Sequence, residues 1–132
     1  MLFERAIRTN KRNEFLDITG EVLRCVKESG VENGICVIFI PHTTAAITIN
    51  ENADPDVKRD IIAYMEKLIP QNYSFHHSEG NSDAHIKSSI FSPSITLIIK
   101  NGGLLLGTWQ GIYFCEFDGP RHRTYFVKCL SD

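Results

Sequence analysis

The sequence predicts a single α+β domain with two main helices and about seven strands, whose sheets pack face to face or against the helices. Three observations carry that expectation. Two stretches repeat apolar residues at helical spacing and end on a stop residue. Short apolar runs separated by Gly, Pro or polar breaks account for most of the rest. The length of 132 residues, 42% of them apolar, is enough for one core and too little for two domains, so the domain spans residues 1–132.

Residues 2–9 alternate imperfectly and read as a first strand, and NEFLDI forms a short second one after the polar turn Asn10–Asn13. From Thr19 the period lengthens. Val22, Leu23 and Val26 fall on one side and Gly30 supplies a stop, so residues 19–29 are predicted helical. ICVIFI, after Gly34, reads as an interior strand. Pro41-His42-Thr43-Thr44 interrupts it and AITI resumes. Asp54 caps a second helix with Pro55 in its first turn; Val57, Ile61, Ile62, Met65, Leu68 and Ile69 line its broad apolar face, and Pro70 ends it.

Residues 71–93 hold three of the five histidines and little continuous apolar pattern. They read either as a long structured loop or as a loop with one helical turn around Asp83–Ser89, and loops of that length are usually functional or mobile. SITLIIK, a Gly102-Gly103 turn, LLLGTWQGIYFCEF and TYFVKCL complete a β-rich C-terminal part. There is no repeat, linker or low-complexity segment.

Fourteen basic against sixteen acidic residues give a formal charge of −2, which provides no basis for a nucleic-acid partner. No apolar stretch approaches the roughly 18 residues of a membrane span and no leader pattern opens the chain, so a cytoplasmic protein without membrane contact is expected. Cys25, Cys36, Cys115 and Cys129 contain no CxxC pair, which argues against a zinc knuckle or a dithiol and for buried free thiols.

Three groups of residues carry candidate chemistry. His42, at a Pro-bounded turn after an apolar strand, joins His77 and His85 as imidazoles able to bind a divalent metal, hold a phosphate or move protons. Glu79, between the latter two, is a weaker ligand. The turn Asp118-Gly119-Pro120-Arg121-His122-Arg123 carries two guanidinium groups suited to phosphate, and Lys87 adds a mobile charge two residues after His85. Asn50, Glu51, Asn52, Asp54, Asp60, Glu116 and Asp118 are oxygen donors able to hold Mg²⁺. Asp54 is also explained by its cap. Trp109, between Gly107 and Gly111, can stack on a heteroaromatic ring or fill a subunit contact.

The blocks HTTAAITINENADPDV, HSEGNSDAHIKSS and LGTWQGIYFCEFDGPR together resemble the YjbQ-like family over essentially the whole chain. The resemblance implies a two-layer β-sandwich with helices, assembly as a homotrimer, and in some members a weak thiamine-phosphate synthase activity. It implies a shared pocket drawing on His42, Thr43, Thr44, Asn50, Glu51 and Asp54. The second block adds His77, Glu79, Gly80, Asn81, His85 and Lys87; the third adds Gly107, Thr108, Trp109, Gln110, Glu116 and Arg121. The implied reaction joins an aminopyrimidine diphosphate to a thiazole phosphate with loss of pyrophosphate, with Lys87 and Arg121 neutralising phosphate charge and a zinc or magnesium ion assisting. The alternatives are a metal-dependent hydrolase acting on a phosphorylated small molecule, and a protein that binds such a molecule or a metal without turnover.

Overall fold

A computed structural model describes residues 1–132. Two antiparallel sheets form a sandwich. The larger one has the order β1 (Leu2–Arg8), β8 (His122–Ser131), β3 (Gly34–Phe39), β5 (Ser94–Lys100) and β6 (Gly103–Leu104). The smaller one has the order β2 (Glu14–Asp17), β7 (Gln110–Glu116) and β4 (Ala45–Glu51). Between them lies a core built from Cys36 and Ile38 of β3, Ile47 of β4, Ile112 and Phe114 of β7, and Val127 of β8.

Helix α1 (Thr19–Ser29) enters the same core through Val22, Cys25 and Val26, none of them exposed. Gly30 ends it at φ 73, in the left-handed region that glycine occupies without strain. Gly34, at the start of β3, answers a different need: a β-carbon there would stand 1.9 Å from the Leu130 carbonyl oxygen. All four cysteines are buried free thiols.

A second apolar cluster lies on the other face of the smaller sheet, where Phe15, Ala46, Tyr113, Cys115 and Phe117 meet Ala84. With apolar packing on both faces, β7 has no solvated side, which explains why IYFCEF is apolar without alternation. Helix α2 (Pro55–Leu68) begins as its sequence indicates, with the Asp54 carboxylate accepting from the Asp56 amide at 2.9 Å. None of its residues is fully buried; Ile61 and Ile62 pack on the second cluster from its edge.

Of the two readings of residues 71–93, the one with a helical turn around Asp83–Ser89 is nearer, and it is extended: Ser82–Phe91 form a third helix, α3. Its apolar signal is weak because its buried side carries Asp83, Lys87 and Ser88 beside Ala84. Those charges are paired, Lys87 Nζ donating to Asp83 Oδ2 at 3.0 Å across one turn, while Arg12 binds both Asp83 oxygens at 2.9 and 3.1 Å. The strand count is eight, the extra one being the two-residue β6.

Candidate functional site

Between β3 and β4 the chain crosses from one sheet to the other through residues 40–44. That crossing, the N-terminal half of α3 and the β7–β8 turn enclose a cleft of about 670 Å³. Only two of its 13 lining residues are hydrophobic, so it suits a charged or strongly polar ligand. The chemically active walls are His42, Glu79, His85, Asp118, Arg121 and Arg123.

His42 is half-buried, with Nε2 3.0 Å from both the carbonyl oxygen and the amide nitrogen of Thr124. Either tautomer therefore has a partner: Nε2–H donates to the carbonyl, or bare Nε2 accepts from the amide. Nδ1 can consequently carry or release a proton without breaking that contact. Burial, then the nearby Arg123 charge, hold the imidazole below its ordinary value of 6.5. Thr43 is exposed in the cleft, and its carbonyl accepts from Ser88 Oγ at 2.6 Å, tying α3 to the crossing. Thr44 is buried, and its Oγ1 accepts from Arg123 Nη2 at 2.9 Å.

His85 lines the cleft, and His77 packs edge-on against it with ring centroids 5.4 Å apart. Glu79 stands 3.9 Å from His77 Nε2. Asn81 donates to Asp118 Oδ2 at 2.9 Å, while its own side-chain oxygen is buried without a partner. Arg121 donates to the Asp118 carbonyl at 2.8 Å and to Asp118 Oδ2 at 3.0 Å, and its side chain is 51% exposed. Neither His76 nor His122 lines the cleft.

Two sequence-predicted residues stand elsewhere. Lys87 is only 1% exposed and lines a separate polar cavity with Arg12 and Asp83. Residues two apart on a helix point about 200° apart, so α3 turns Lys87 away from His85. Glu116 is buried and takes Thr9 Oγ1 at 2.7 Å, Arg123 Nε at 2.8 Å and the amides of Phe117 and Asp118 at 3.1 and 3.0 Å. Arg123 Nη2 completes its shell. No oxygen of that carboxylate is left for a metal, and Arg123 and its hydrogen-bonding neighbours hold it below its ordinary value although burial alone would raise it.

The residues from Asn50 to Asp54 and from Gly107 to Gln110 also separate from the cleft, although Asp118 and Arg121 of the third block line it. Asn50 pairs with Gly111 and Glu51 with Gln110, whereas Ala45, beside the cleft, pairs with Glu116 at the other end of the same ladder. Six residues of strand put roughly 20 Å between the two ends. Gln110 Oε1 accepts from the Gly107 amide at 2.8 Å in the turn that also holds Thr108, and Trp109, 62% exposed, borders a shallow depression with Glu51 and Asp54. Within one chain these residues do not reach the histidines.

No group of three or more His, Cys, Asp or Glu side chains is arranged to hold a metal ion. His77 and His85 form a pair, and His42 has its Nε2 committed to Thr124. Within one chain these side chains therefore do not by themselves assemble the expected zinc or magnesium site. Arg123, one of the two guanidinium groups of the basic turn, lines the cleft although the set implied by the family resemblance includes only Arg121. The signal was present in the period-2 burial of β8, which places Arg123 on the inward face with Tyr125, Val127 and Cys129.

Comparison with known proteins gives one consistent result. Residues 4–132 match the family profile described as UPF0047 protein YjbQ-like. A UPF0047 protein of Methanocaldococcus jannaschii is 61% identical over 132 residues, covering 100% of this chain and 96% of the relative. The UPF0047 protein YugU of Bacillus subtilis is 52% identical over 99% of this chain and its own full length. Among solved structures, an uncharacterised YjbQ/UPF0047 protein of Clostridium acetobutylicum superposes with a TM-score of 0.96 at 55% identity, over 97% of this chain and 99% of that one. A protein of unknown function from Sulfolobus solfataricus also reaches 0.96, at 32% identity over 100% and 97%.

Proposed function

This chain belongs to the YjbQ-like UPF0047 family, and from that premise we propose that its cleft binds a phosphorylated small molecule and that His42 moves protons on it. The supporting observation is the lining: a polar cleft in which two guanidinium groups and two imidazoles converge. The sharpest form is thiamine-phosphate synthesis. The thiazole nitrogen attacks the pyrimidine methylene carbon, a C–N bond forms as the C–O bond to the diphosphate breaks, and pyrophosphate leaves with the bonding electrons. Arg121, half-exposed and held only by Asp118, is free to follow the departing charge. His42 Nδ1 exchanges a proton with the ligand or its leaving group while Nε2 re-pairs with Thr124. No step runs through a metal.

The same reading includes assembly as a homotrimer. The outer face of the larger sheet supports it: Ile98, Ile35 and Leu130 stand in one cross-strand row, 55%, 39% and 45% exposed, and the Phe39–Phe126 pair follows on the same face beyond the Thr96–Val37–Lys128 row. An apolar sheet face left open in a monomer is characteristic of a contact surface. Buried free thiols throughout accord with a reducing, cytoplasmic setting, and no helix is long and apolar enough to cross a membrane.

The test is to incubate the purified protein with the aminopyrimidine diphosphate and the thiazole phosphate, following thiamine phosphate and pyrophosphate together. Equimolar formation of both, lost in H42A and H85A and reduced in H77A, supports the synthase reading. Orthophosphate release without joining points to hydrolysis instead, and ligand binding without turnover leaves a binding protein. No binding of either substrate rejects the proposal. Mass measurement in solution tests assembly: a dominant 15.0 kDa species rejects the trimer.

A further inference from the structure

We infer that Arg123, rather than the more exposed Arg121, is the fixed anchor for an anionic oxygen of the cleft ligand, and that Glu116 is the positioning residue that aims it. The inference rests on the proposed reading of a phosphorylated ligand and goes beyond it in naming the group that seats the charge.

The Arg123 side chain is 6% exposed, yet it lines the cleft. Three of its five N–H donors are accounted for. Nε donates to Glu116 Oε1 at 2.8 Å, and Nη2 donates to Glu116 Oε2 and to Thr44 Oγ1, the latter at 2.9 Å. Nη1 makes no hydrogen bond to the protein, and Arg123 lines the cleft. One edge of a locked guanidinium therefore presents N–H donors to the ligand space.

Glu116 creates that geometry. Its fork holds the guanidinium plane, while Thr9 and two backbone amides hold the carboxylate in turn. An arginine so fixed loses little rotamer freedom on binding, whereas a half-exposed Arg121 must be immobilised. The ion pair is formally neutral, but it is oriented, with its cationic end toward the cleft. His42 registers that asymmetry, since Arg123 depresses its proton affinity more than Glu116 raises it. The ligand chemistry that fits is an oxyanion, either phosphoryl or carboxylate.

The experiment measures binding of pyrophosphate, orthophosphate and succinate to the full chain by calorimetry. Arginine side-chain ¹⁵N–¹H spectra report on the guanidinium itself. Arg123→Lys keeps the charge but loses the fork, and is expected to weaken pyrophosphate binding tenfold or more. To separate unfolding from loss of the contact, R123M/E116M replaces the whole pair with apolar side chains, a change buried ion pairs commonly tolerate, and it should fold and lose binding to the same degree. Arg121→Gln should lose less than either. In Glu116→Gln the backbone spectrum should stay dispersed while the Arg123 Nε–H resonance broadens and no longer shifts with pyrophosphate.

If wild type binds pyrophosphate and R123M/E116M binds it equally well, the anchor assignment is overturned while the phosphorylated-ligand reading stands. Succinate binding that depends on Arg123, without phosphate binding, supports the anchor and overturns the phosphate reading. Failure of wild type to bind any of the three overturns both.

Discussion

Asp83→Asn asks whether Lys87 belongs to the fold or to the chemistry. Asp83 is 0% exposed and Lys87 1%, and the Lys87 ammonium makes its one hydrogen bond to Asp83 Oδ2 at 3.0 Å. Removing the carboxylate charge strands a buried cation, a change that costs about 3–5 kcal/mol. Lys87→Met is milder. Asp83 then keeps both Arg12 bonds, at 2.9 and 3.1 Å, and the loss is that of one charged hydrogen bond, about 1–3 kcal/mol. For a domain of this size each kcal/mol moves Tm by roughly 3–5 °C, so D83N should melt about 10–20 °C below wild type and K87M nearer to it. Calorimetry and guanidinium unfolding at one protein concentration read the difference, and pyrophosphate binding is measured on K87M in parallel. If K87M keeps the stability expected of it but has lost pyrophosphate binding, then Lys87 acts in the cleft and its assignment to the buried pair with Asp83 is wrong.

Glu116 and Asp83 are both held below their ordinary values of 4.5 and 3.8, hydrogen bonds from cationic partners outweighing the opposing effect of burial. Carboxylates depressed by folding contribute stability that is complete above their unfolded values and lost as pH falls through the folded ones. Urea midpoints should therefore be level above about pH 5 and fall below it, less steeply in E116Q; an unchanged acid limb in E116Q refutes the assignment. The His42 ring should titrate below 6.5 by NMR and move upward in R123M/E116M, and a wild-type midpoint at or above 6.5 contradicts its burial beside Arg123. Gly34→Ala brings a β-carbon to 1.9 Å from the Leu130 carbonyl oxygen, against 3.7 Å for the nearest atom at Gly103. G34A should cost more than about 2 kcal/mol and G103A less than about 1, as read by thermal unfolding. Equal effects mean that β3 and β8 part easily.

The fold was legible wherever local chemistry and tertiary burial agree. The first helix carries its own apolar stripe and glycine stop, the second its Asp-Pro start, and both stand where the sequence places them. The third helix was obscured because its buried face is polar: Asp83 and Lys87 occupy positions where a sequence reading looks for leucine or isoleucine. Hydropathy records each residue alone and cannot register that a carboxylate and an ammonium four residues apart satisfy one another. The two-residue β6 is too short to leave a period at all.

The misplacement of Lys87 follows from leaving that helical turn open as one of two readings. In an extended segment His85 and Lys87, two residues apart, share a face and would enter one cleft together; in a helix the same separation puts them on nearly opposite sides. For Arg123 the strand period applies in the expected way, yet charge spacing alone makes Arg121 look equivalent to it. The difference lies in the partners: Arg121 is tethered to an Asp118 in its own turn, while Arg123 is gripped by a buried carboxylate on the neighbouring strand. Asp83 and Lys87, like Glu116 and Arg123, belong to buried polar networks that the sequence presents as separate reactive groups. Once those networks are subtracted, the polar groups with capacity left for a ligand in the cleft include Nδ1 of His42, the His85 ring, the Thr43 hydroxyl, the Asn81 side-chain oxygen, Arg121, Glu79 and the one unclaimed edge of Arg123. On the proposed reading, that set is matched by a ligand with at least one oxyanion, and the imidazole whose proton affinity responds to the Arg123 charge is His42.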